Sequence, residues 1–191
     1  EARQIDGDAP DLAQVDRPLT LAEVERSLQA FPGQHFAVAS QQGRAVNVAY
    51  LAGDLPAVLI SGAQHANETS GVVGSLRAAA QLKNRPGAHF ALMPFENPDG
   101  YALHQALCVE HPAHMHHAAR YTALGDDIEY REQAPWYERE ARRCALAISG
   151  AQLHLNLHGY PAHEWIRPCT GYLPRGFEAW SIPKGFFLIV R

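Results

Sequence analysis

One stretch in the first half of the chain constrains its fold most strongly. A short apolar run, residues 57–60, ends in small residues, and apolar positions at helical spacing follow through Leu76. This succession predicts a buried strand, a short loop and a helix. His65 falls on the loop and Glu68 in the first helical turn. Both side chains are therefore expected at the carboxyl end of a strand, where open α/β sheets bind ligands.

The pair formed by His65 and Glu68 has the chemistry of a metal site. An imidazole and a carboxylate suit zinc, which also accepts water in an open position. A His-x-x-Glu sequence arises often by chance, so the metal interpretation depends on its position in the fold and on partners downstream. The strand-to-helix junction favours that interpretation.

A strand further along the chain supplies the third candidate ligand. Residues 153–157 alternate strictly between leucine and a polar residue, which places the leucines on one face. His158 follows at the carboxyl end of this strand, beside Gly159, which permits close approach of backbone or ligand. A histidine on such a strand is usually a core residue, but its position at the strand end predicts a ligand.

The remaining pattern predicts a single α/β domain over residues 1–191 with a mixed sheet, because no repeat or linker divides the chain. Residues 1–18, rich in aspartate, predict a poorly ordered lead-in. The other predicted elements are a helix opened by a capping box at Thr20–Glu23, a hairpin of His35–Ser40 and Ala45–Leu51, and a buried strand at Phe90–Met93.

The second half of the chain is harder to interpret. Asn97-Pro98-Asp99-Gly100 has the composition of a tight turn. Residues 102–134, with a cluster of histidines, predict a long and mostly irregular loop, and a run of this kind could also bind metal adventitiously. Pro135 predicts a helix start, and the apolar run at 186–190 predicts a buried strand. The apolar face of that helix is predicted to be Tyr137, Ala141, Cys144, Ala145 and Ile148.

Composition excludes several classes of function. The net charge of -4 argues against a nucleic-acid partner, and no apolar run approaches the roughly 20 residues of a membrane span. Three widely spaced cysteines, Cys108, Cys144 and Cys169, form neither a zinc pattern nor a disulfide framework. Reduced thiols are typical of a cytoplasmic protein, which is the location we expect.

Three signatures together resemble the zinc metallocarboxypeptidase family. They are His65-Ala66-Asn67-Glu68 after a buried strand, Asn97-Pro98-Asp99-Gly100-Tyr101, and Leu157-His158-Gly159-Tyr160 at a strand end. The resemblance implies a three-layer α/β/α sandwich with a central mixed sheet. It also implies one zinc ion held by His65, Glu68 and His158, with water in the fourth position.

The resemblance extends to the loop before Pro135, with departures. Arg120 is the candidate for the family's arginine that stabilises the oxyanion, and Asp127 for the carboxylate that orients the imidazole of His65. The stretch from Gly125 to Arg131 looks like the family's Gly-x-Asp-x-Asn-Arg. Glu129 stands where the family has Asn, and Tyr130 where it has the arginine that clamps the substrate carboxylate. Arg131, one place late, is with Tyr130 the candidate for substrate binding.

A further departure concerns the general base. In the family a glutamate well beyond the third ligand has this role, but only 33 residues follow His158. Glu164 and Glu178 are the only side-chain carboxylates among them, and neither lies in the matching context. The sequence therefore predicts a catalytic domain truncated at its C-terminus.

Three hypotheses on function follow. The first is a zinc-dependent hydrolase of the carboxypeptidase type, a metallopeptidase that cleaves a peptide or amide bond with metal-activated water. The second is a zinc deacylase acting on N-acyl amino acids. The third is a non-catalytic zinc-binding domain.

Overall fold

A mixed five-stranded sheet forms the centre of the computed structural model, which describes residues 7–114, 116–159, 188 and 190. In chain order its strands are β1 (Gln34–Ala39), β2 (Ala45–Leu51), β3 (Val58–Gly62), β4 (Phe90–Met93) and β5 (Leu153–Leu157). The order across the sheet is β1-β2-β4-β3-β5. Strand β2 pairs antiparallel with β1 and β4, whereas β3 pairs parallel with β4 and β5.

Helices cover both faces of this sheet. They are α1 (Leu21–Gln29), α2 (Ser70–Leu82), α3 (Pro98–Glu110) and α4 (Glu138–Ser149), with short 3-10 turns at His117–Arg120 and Ile128–Tyr130. Neighbouring residues of β3 point to opposite faces, so Ile60 packs with α1 and α2 while Leu59 packs with α4. The predicted three-layer α/β/α sandwich with a mixed sheet is confirmed.

Helix α1 begins where its capping box predicts. The Thr20 hydroxyl accepts the Glu23 N–H, and the Glu23 carboxylate accepts the Thr20 N–H at 2.8 Å. Arg17 adds an ion pair to Glu23. The hairpin and the strand at Phe90–Met93 also lie at their predicted positions.

The interpretation of Asn97-Pro98-Asp99-Gly100 as a turn is wrong. These residues begin α3, with Pro98 in its first turn and the Asn97 side chain accepting the Gly100 N–H at 2.9 Å. Asparagine and proline favour both turns and helix starts, so composition alone does not separate the two. Since α3 extends to Glu110, the irregular loop is also shorter than predicted.

The buried face of α4 differs from the predicted one. Cys144 is only half-buried and Ile148 is 41% exposed, whereas Arg142 and Glu138 are buried. Burial is tolerated here because Arg142 and Glu138 each take part in ion pairs. The full buried set is Glu138, Ala141, Arg142, Ala145 and Ser149.

The segment before α1 has no regular secondary structure but is held by hydrogen bonds. Residues 7–18 form neither helix nor strand, yet the Arg77 guanidinium donates to the carbonyls of Leu12 and Val15 at 2.6 and 2.7 Å. The chain divides into two compact units, Glu1–Gly159 and Tyr160–Arg191. A single domain over 1–191 stays a prediction.

Only two residues of the predicted C-terminal strand are described. Leu188 and Val190 lie in neither helix nor strand and are 81% and 82% exposed, so the prediction of a buried strand is wrong for them. The other positions of 186–190 lie outside the described residues. Within the described part of the chain, no helix is long and apolar enough to cross a membrane.

Candidate metal centre

The candidate ligands meet at one edge of the sheet. Strands β3 and β5 are parallel neighbours, and Gly62 at the end of β3 lies opposite Leu157 at the end of β5. The loop after β3 carries His65 and Glu68, and His158 follows β5 directly. One ligand atom of each of these three side chains lies within 4.8 Å of the others. The structure thus brings together the three residues that the sequence singles out, and their role as ligands stays a prediction.

Glycines allow this close approach. A Cβ atom at Gly71, in the first turn of α2, would overlap the carbonyl oxygen of Leu157. Helix α2 can therefore lie directly against the end of β5. The Gly159 N–H in turn donates to Glu68 Oε2 at 3.1 Å. These contacts fix Glu68 and His158 relative to each other.

Both imidazoles present Nδ1 to the carboxylate of Glu68. Nδ1 of His65 lies 2.8 Å from Oε1, and Nδ1 of His158 lies 2.9 Å from Oε2. On the far side of the His65 ring, Nε2 lies 2.9 Å from Oδ2 of Asp127. A carboxylate in that position favours a proton on Nε2, which leaves the Nδ1 lone pair for a ligand.

The protonation states at the centre are strongly coupled. Burial opposes ionisation of Glu68, but hydrogen bonds with His158 and His65 lower its pKa to about 2. Burial also acts against the charged form of His65, yet hydrogen bonds to Asp127 and Glu68 raise the pKa of this imidazole. Burial likewise opposes ionisation of Asp127, but its hydrogen bonds with His65 and the Glu129 N–H and the charges of His65 and Arg120 together lower its pKa. Glu68 and Asp127 are therefore anionic at neutral pH.

Arg120 reaches into the same cluster. Its Nη1 lies 2.9 Å from Nδ1 of His65 and 3.2 Å from Oε1 of Glu68. A guanidinium can only donate and a carboxylate can only accept. A proton on Nδ1 of His65 therefore suits Glu68 but opposes Arg120, and a bare Nδ1 suits Arg120 but opposes Glu68. One of the two close contacts of Nδ1 therefore lacks a matching donor or acceptor in either state.

This donor set fits zinc. Two imidazole nitrogens and one carboxylate, with a further carboxylate behind one imidazole, match the ligands and the outer support that catalytic zinc sites use. His65 is 7% and Glu68 8% exposed, while the His158 side chain is 39% exposed. The centre is therefore anchored on a buried side and open to solvent on the other.

A chain of buried polar residues supports the centre, and sequence reasoning missed it. Gln64 donates to Oδ1 of Asp127 at 2.9 Å, and Arg142 donates to Oε1 of Gln64 at 2.9 Å. Arg142 also binds Glu96, which is 1% exposed. The only signals in the sequence are that Gln64 adjoins His65 and that Glu96 follows a buried strand. The pairing itself joins residues 46 positions apart, which no local pattern reveals.

The structure argues against the predicted role of Arg131 as a substrate clamp. Its five N–H donors are all engaged, by Asp126, Thr122, Glu138 and the Trp136 carbonyl. The side chain is 5% exposed, and these bonds raise the pKa of the guanidinium. Arg131 therefore stabilises its own loop and has no donor left for a carboxylate.

The neighbours of Arg131 lie elsewhere. Tyr130 is 70% exposed, so its predicted part in substrate binding has no supporting contact among the described residues. Glu129 Oε2 lies 2.7 Å from Nη1 of Arg142, which ties the carboxylate that replaces the family's asparagine to the support of the centre. Glu164 and Glu178 lie outside the described residues.

Comparison with known proteins finds no match to the amino-acid sequence, but it finds several solved structures with a similar fold. No family model matches the chain, and no curated protein matches it. A metallo-carboxypeptidase from Burkholderia cenocepacia is 19% identical with a TM-score of 0.55, over 75% of this chain and 42% of its own. Carboxypeptidase A from Helicoverpa armigera is 16% identical with a TM-score of 0.55, over 73% and 44%.

A third solved structure gives the same picture. The metallo-carboxypeptidase from Pseudomonas aeruginosa, in complex with (2-guanidinoethylmercapto)succinic acid, is 18% identical with a TM-score of 0.51. The match covers 75% of this chain and 40% of that chain. This chain therefore spans less than half the length of these relatives, and over the matched part it has the fold of the metallo-carboxypeptidases.

Proposed function

We propose that this chain carries the metal-binding part of a zinc-dependent hydrolase of the carboxypeptidase type, which cleaves a peptide or amide bond. One observation carries the proposal: His65, Glu68 and His158 converge at one sheet edge with Asp127 behind His65. The fold shared with metallo-carboxypeptidases supports it. Because the chain spans about 40% of such relatives, the activity of a whole enzyme is part of the proposal.

The chain's residues would divide the work as follows. Nδ1 of His65, Nδ1 of His158 and the carboxylate of Glu68 would hold the ion, and Asp127 would keep the His65 proton on Nε2. A zinc ion held there would polarise a substrate carbonyl and lower the pKa of a water molecule toward neutrality. Glu68 is ionised at every pH above about 2, so it would be ready to bind metal across the physiological range.

Arg120 would act on the substrate. Its side chain is 27% exposed, and its guanidinium lies against Glu68 and His65. A fixed cation at this position would stabilise the negative charge that develops on a carbonyl oxygen during attack. Arg120 is therefore our candidate for the oxyanion-stabilising residue.

We propose no role as general base for Glu164 or Glu178. A positioned acid–base group typically contributes about 10²–10⁴-fold to the rate. We therefore expect the 191-residue chain alone to hydrolyse amides slowly, even with zinc bound.

Two substrate classes and one non-catalytic function are candidates. Arg131 has no donor for a substrate carboxylate, which leaves recognition of a peptide C-terminus without an arginine in this stretch. This keeps a deacylase that acts on N-acyl amino acids as the second candidate. A non-catalytic zinc-binding domain is the third, because the base is unassigned.

A zinc titration with matched variants tests the centre. Glu68→Ala and His158→Ala should each lose one equivalent of tightly bound zinc relative to wild type. Glu140→Ala is the control, because Glu140 lies on α4 and its side chain pairs, among the described residues, with Arg143 and the Cys144 thiol. Equal zinc binding by all four proteins would refute the proposal.

A substrate panel separates the three functions. It consists of peptides with a free C-terminus, the same peptides amidated, and N-acyl amino acids, each assayed with and without a chelator. Chelator-sensitive cleavage of the free peptides supports the carboxypeptidase type, and cleavage of N-acyl amino acids alone supports the deacylase. Zinc binding through His65, Glu68 and His158 with no cleavage of any substrate supports the non-catalytic domain.

A further inference from the structure

A second group of metal-binding side chains lies on α3 and the turn after it. His104 and Cys108 are four residues apart on α3, so they share one face on successive turns. Nε2 of His104 lies 3.5 Å from Sγ of Cys108. His116 approaches from the following turn, with its ring centroid 5.3 Å from that of His104. One ligand atom from each of the three lies within 4.8 Å of the others. We call this set the α3 cluster.

His116 gives an independent indication of a ligand. The residue is 8% exposed, and its Nε2 is buried with no hydrogen-bond partner among the described residues. A buried imidazole nitrogen without a partner is costly, and such groups are rare in native proteins. The backbone of His116 is left-handed, with φ 52° and ψ 51°.

We propose that His104, Cys108 and His116 form a second transition-metal site that binds zinc or a similar ion. Two imidazoles and one thiolate are donors that zinc prefers, whereas calcium and magnesium require oxygen ligands. Tetrahedral zinc with ordinary bond lengths holds a sulfur and a nitrogen about 3.6 Å apart. The observed 3.5 Å agrees with that separation.

Metal binding at the α3 cluster requires neutral imidazoles and the thiolate form of Cys108. Binding would release the thiol proton of Cys108 to solvent and form a metal–sulfur bond. The three side chains leave one tetrahedral position, which water would fill.

The α3 cluster has a structural consequence for the first centre. His116 directly precedes the 3-10 turn that ends at Arg120, and Arg120 contacts Glu68 and His65. A metal that joins His116 to α3 would therefore hold the turn that positions Arg120. The second site is thus a positioning device for the first, and it adds one ion to the single zinc that the sequence predicts.

Cobalt substitution tests this proposal with a signal that the first centre cannot give. A thiolate bound to Co²⁺ produces a charge-transfer band in the near ultraviolet, and the first centre contains no sulfur. The wild-type chain loaded with Co²⁺ should show this band and bind two equivalents of metal. Cys108→Ser should lose the band and bind one equivalent. His65→Ala should keep the band.

Matched variants separate the proposal from its alternatives. Cys144→Ser is the matched control, because Cys144 is, like Cys108, a half-buried thiol on a helix. It should keep the band, since the side chain next to Cys144 is Glu140 instead of a histidine. Cys169→Ser should keep it too. His116→Gln should weaken Co²⁺ binding at this site by at least roughly 10–100-fold. That is the usual loss when a residue that only supports a metal ligand is removed, and His116 is proposed as a ligand itself. Circular dichroism of each variant checks the fold.

Two results would overturn the proposal. The first is a wild-type protein without a thiolate band at Co²⁺ saturation, which would reduce the contact of His104 and Cys108 to a weak S–H···N hydrogen bond. The second is a band that survives Cys108→Ser and disappears in Cys144→Ser or Cys169→Ser, which would assign the sulfur ligand elsewhere. Neither result affects the first centre, whose test is zinc binding by Glu68→Ala.

Discussion

The two histidine-containing groups of this protein are built in opposite ways. At the first centre, His65 and His158 arrive from the ends of two neighbouring strands, and each ligand nitrogen already has a partner in the carboxylate of Glu68. In the α3 cluster, one helix and one left-handed turn supply the ligands, and a nitrogen of His116 is left without a partner. The first group is held by protein contacts alone, whereas the second is completed by an ion.

The two groups also differ in the contacts that make them rigid. Behind the first centre lie Asp127, Gln64 and Arg142, a continuous set of buried hydrogen bonds that ends on Glu96. The α3 cluster has no comparable support among the described residues. Variants behind the first centre should therefore change stability and metal affinity together, and variants in the α3 cluster should act mainly through the metal.

The largest effect is expected for Arg142→Met. It leaves Glu96 buried without its cation, and breaking a buried pair in this way costs about 3–5 kcal/mol. Urea unfolding of the metal-free protein measures the loss. Arg143→Met is the control, because Arg143 is half exposed and pairs on the surface with Glu140, where a change of about 0–1 kcal/mol is expected. Equal losses in both variants would contradict the ion-pair argument.

The contribution of each single zinc site should be the next largest effect. At about 100 times its dissociation constant, each site adds about 2.7 kcal/mol to the free energy of unfolding. Wild type should gain two such increments, and Glu68→Ala and Cys108→Ser one each. Thermal unfolding with and without zinc gives the increments. If zinc adds the same free energy of unfolding to wild type and to both variants, the two groups do not bind separate ions.

Asp127→Asn should produce a smaller change. It removes the carboxylate that orients His65, which typically lowers metal affinity by about 10–100-fold. A competition titration with a chromophoric chelator measures this, and the cobalt–thiolate band of the α3 cluster should be unchanged. Asp126→Asn is matched in position but binds Arg131 instead of His65, so it should leave the zinc affinity of the first centre intact. Equal affinity loss in both variants would refute the role of Asp127.

The smallest effect concerns a region remote from both groups. Hydrogen bonds from Arg17 and Thr20 lower the pKa of Glu23 to about 2, well below its ordinary value. The stabilisation is therefore present above the ordinary pKa of about 4.3 and is lost as pH falls toward 2. Because Arg17 is 55% exposed, we expect at most about 1 kcal/mol.

Urea unfolding of the metal-free protein between pH 2 and 5 measures how its free energy of unfolding depends on pH. Glu23→Gln should reduce the pH dependence of the free energy of unfolding by at most about 1 kcal/mol, and Arg17→Gln should reduce it by removing the partner. The dependence that remains belongs to other carboxylates such as Glu68 and Asp127, whose pKa values are also lowered. Identical pH dependence in wild type and Glu23→Gln would contradict the contribution of Glu23.

The sequence predicts that His65, Glu68 and His158 meet, because each lies beside a local pattern. The strand before His65, the helix after Glu68 and the alternating strand before His158 are each visible within about ten residues. Parallel strands end at a common edge, so strand-end positions suffice to predict that the three side chains meet.

The rest depends on pairings that no local pattern contains. Arg142 looks like a surface residue of α4 until Glu96, from another part of the chain, is placed opposite it. Arg131 looks like an available cation until Asp126 and Glu138 are seen to engage it. His116 has a left-handed backbone and its ring lies 5.3 Å from that of His104, and a histidine-rich sequence predicts neither feature.

The spacing of the ligands also sets an order in time. His104 and His116 are 12 residues apart in the chain, whereas His65 and His158 are 93 apart. Loop-closure entropy makes the longer connection roughly 2 kcal/mol more costly to form. The α3 cluster can close during early, local folding, but the first centre must wait until β5 pairs with β3. A newly made chain would therefore complete the α3 cluster before the first centre.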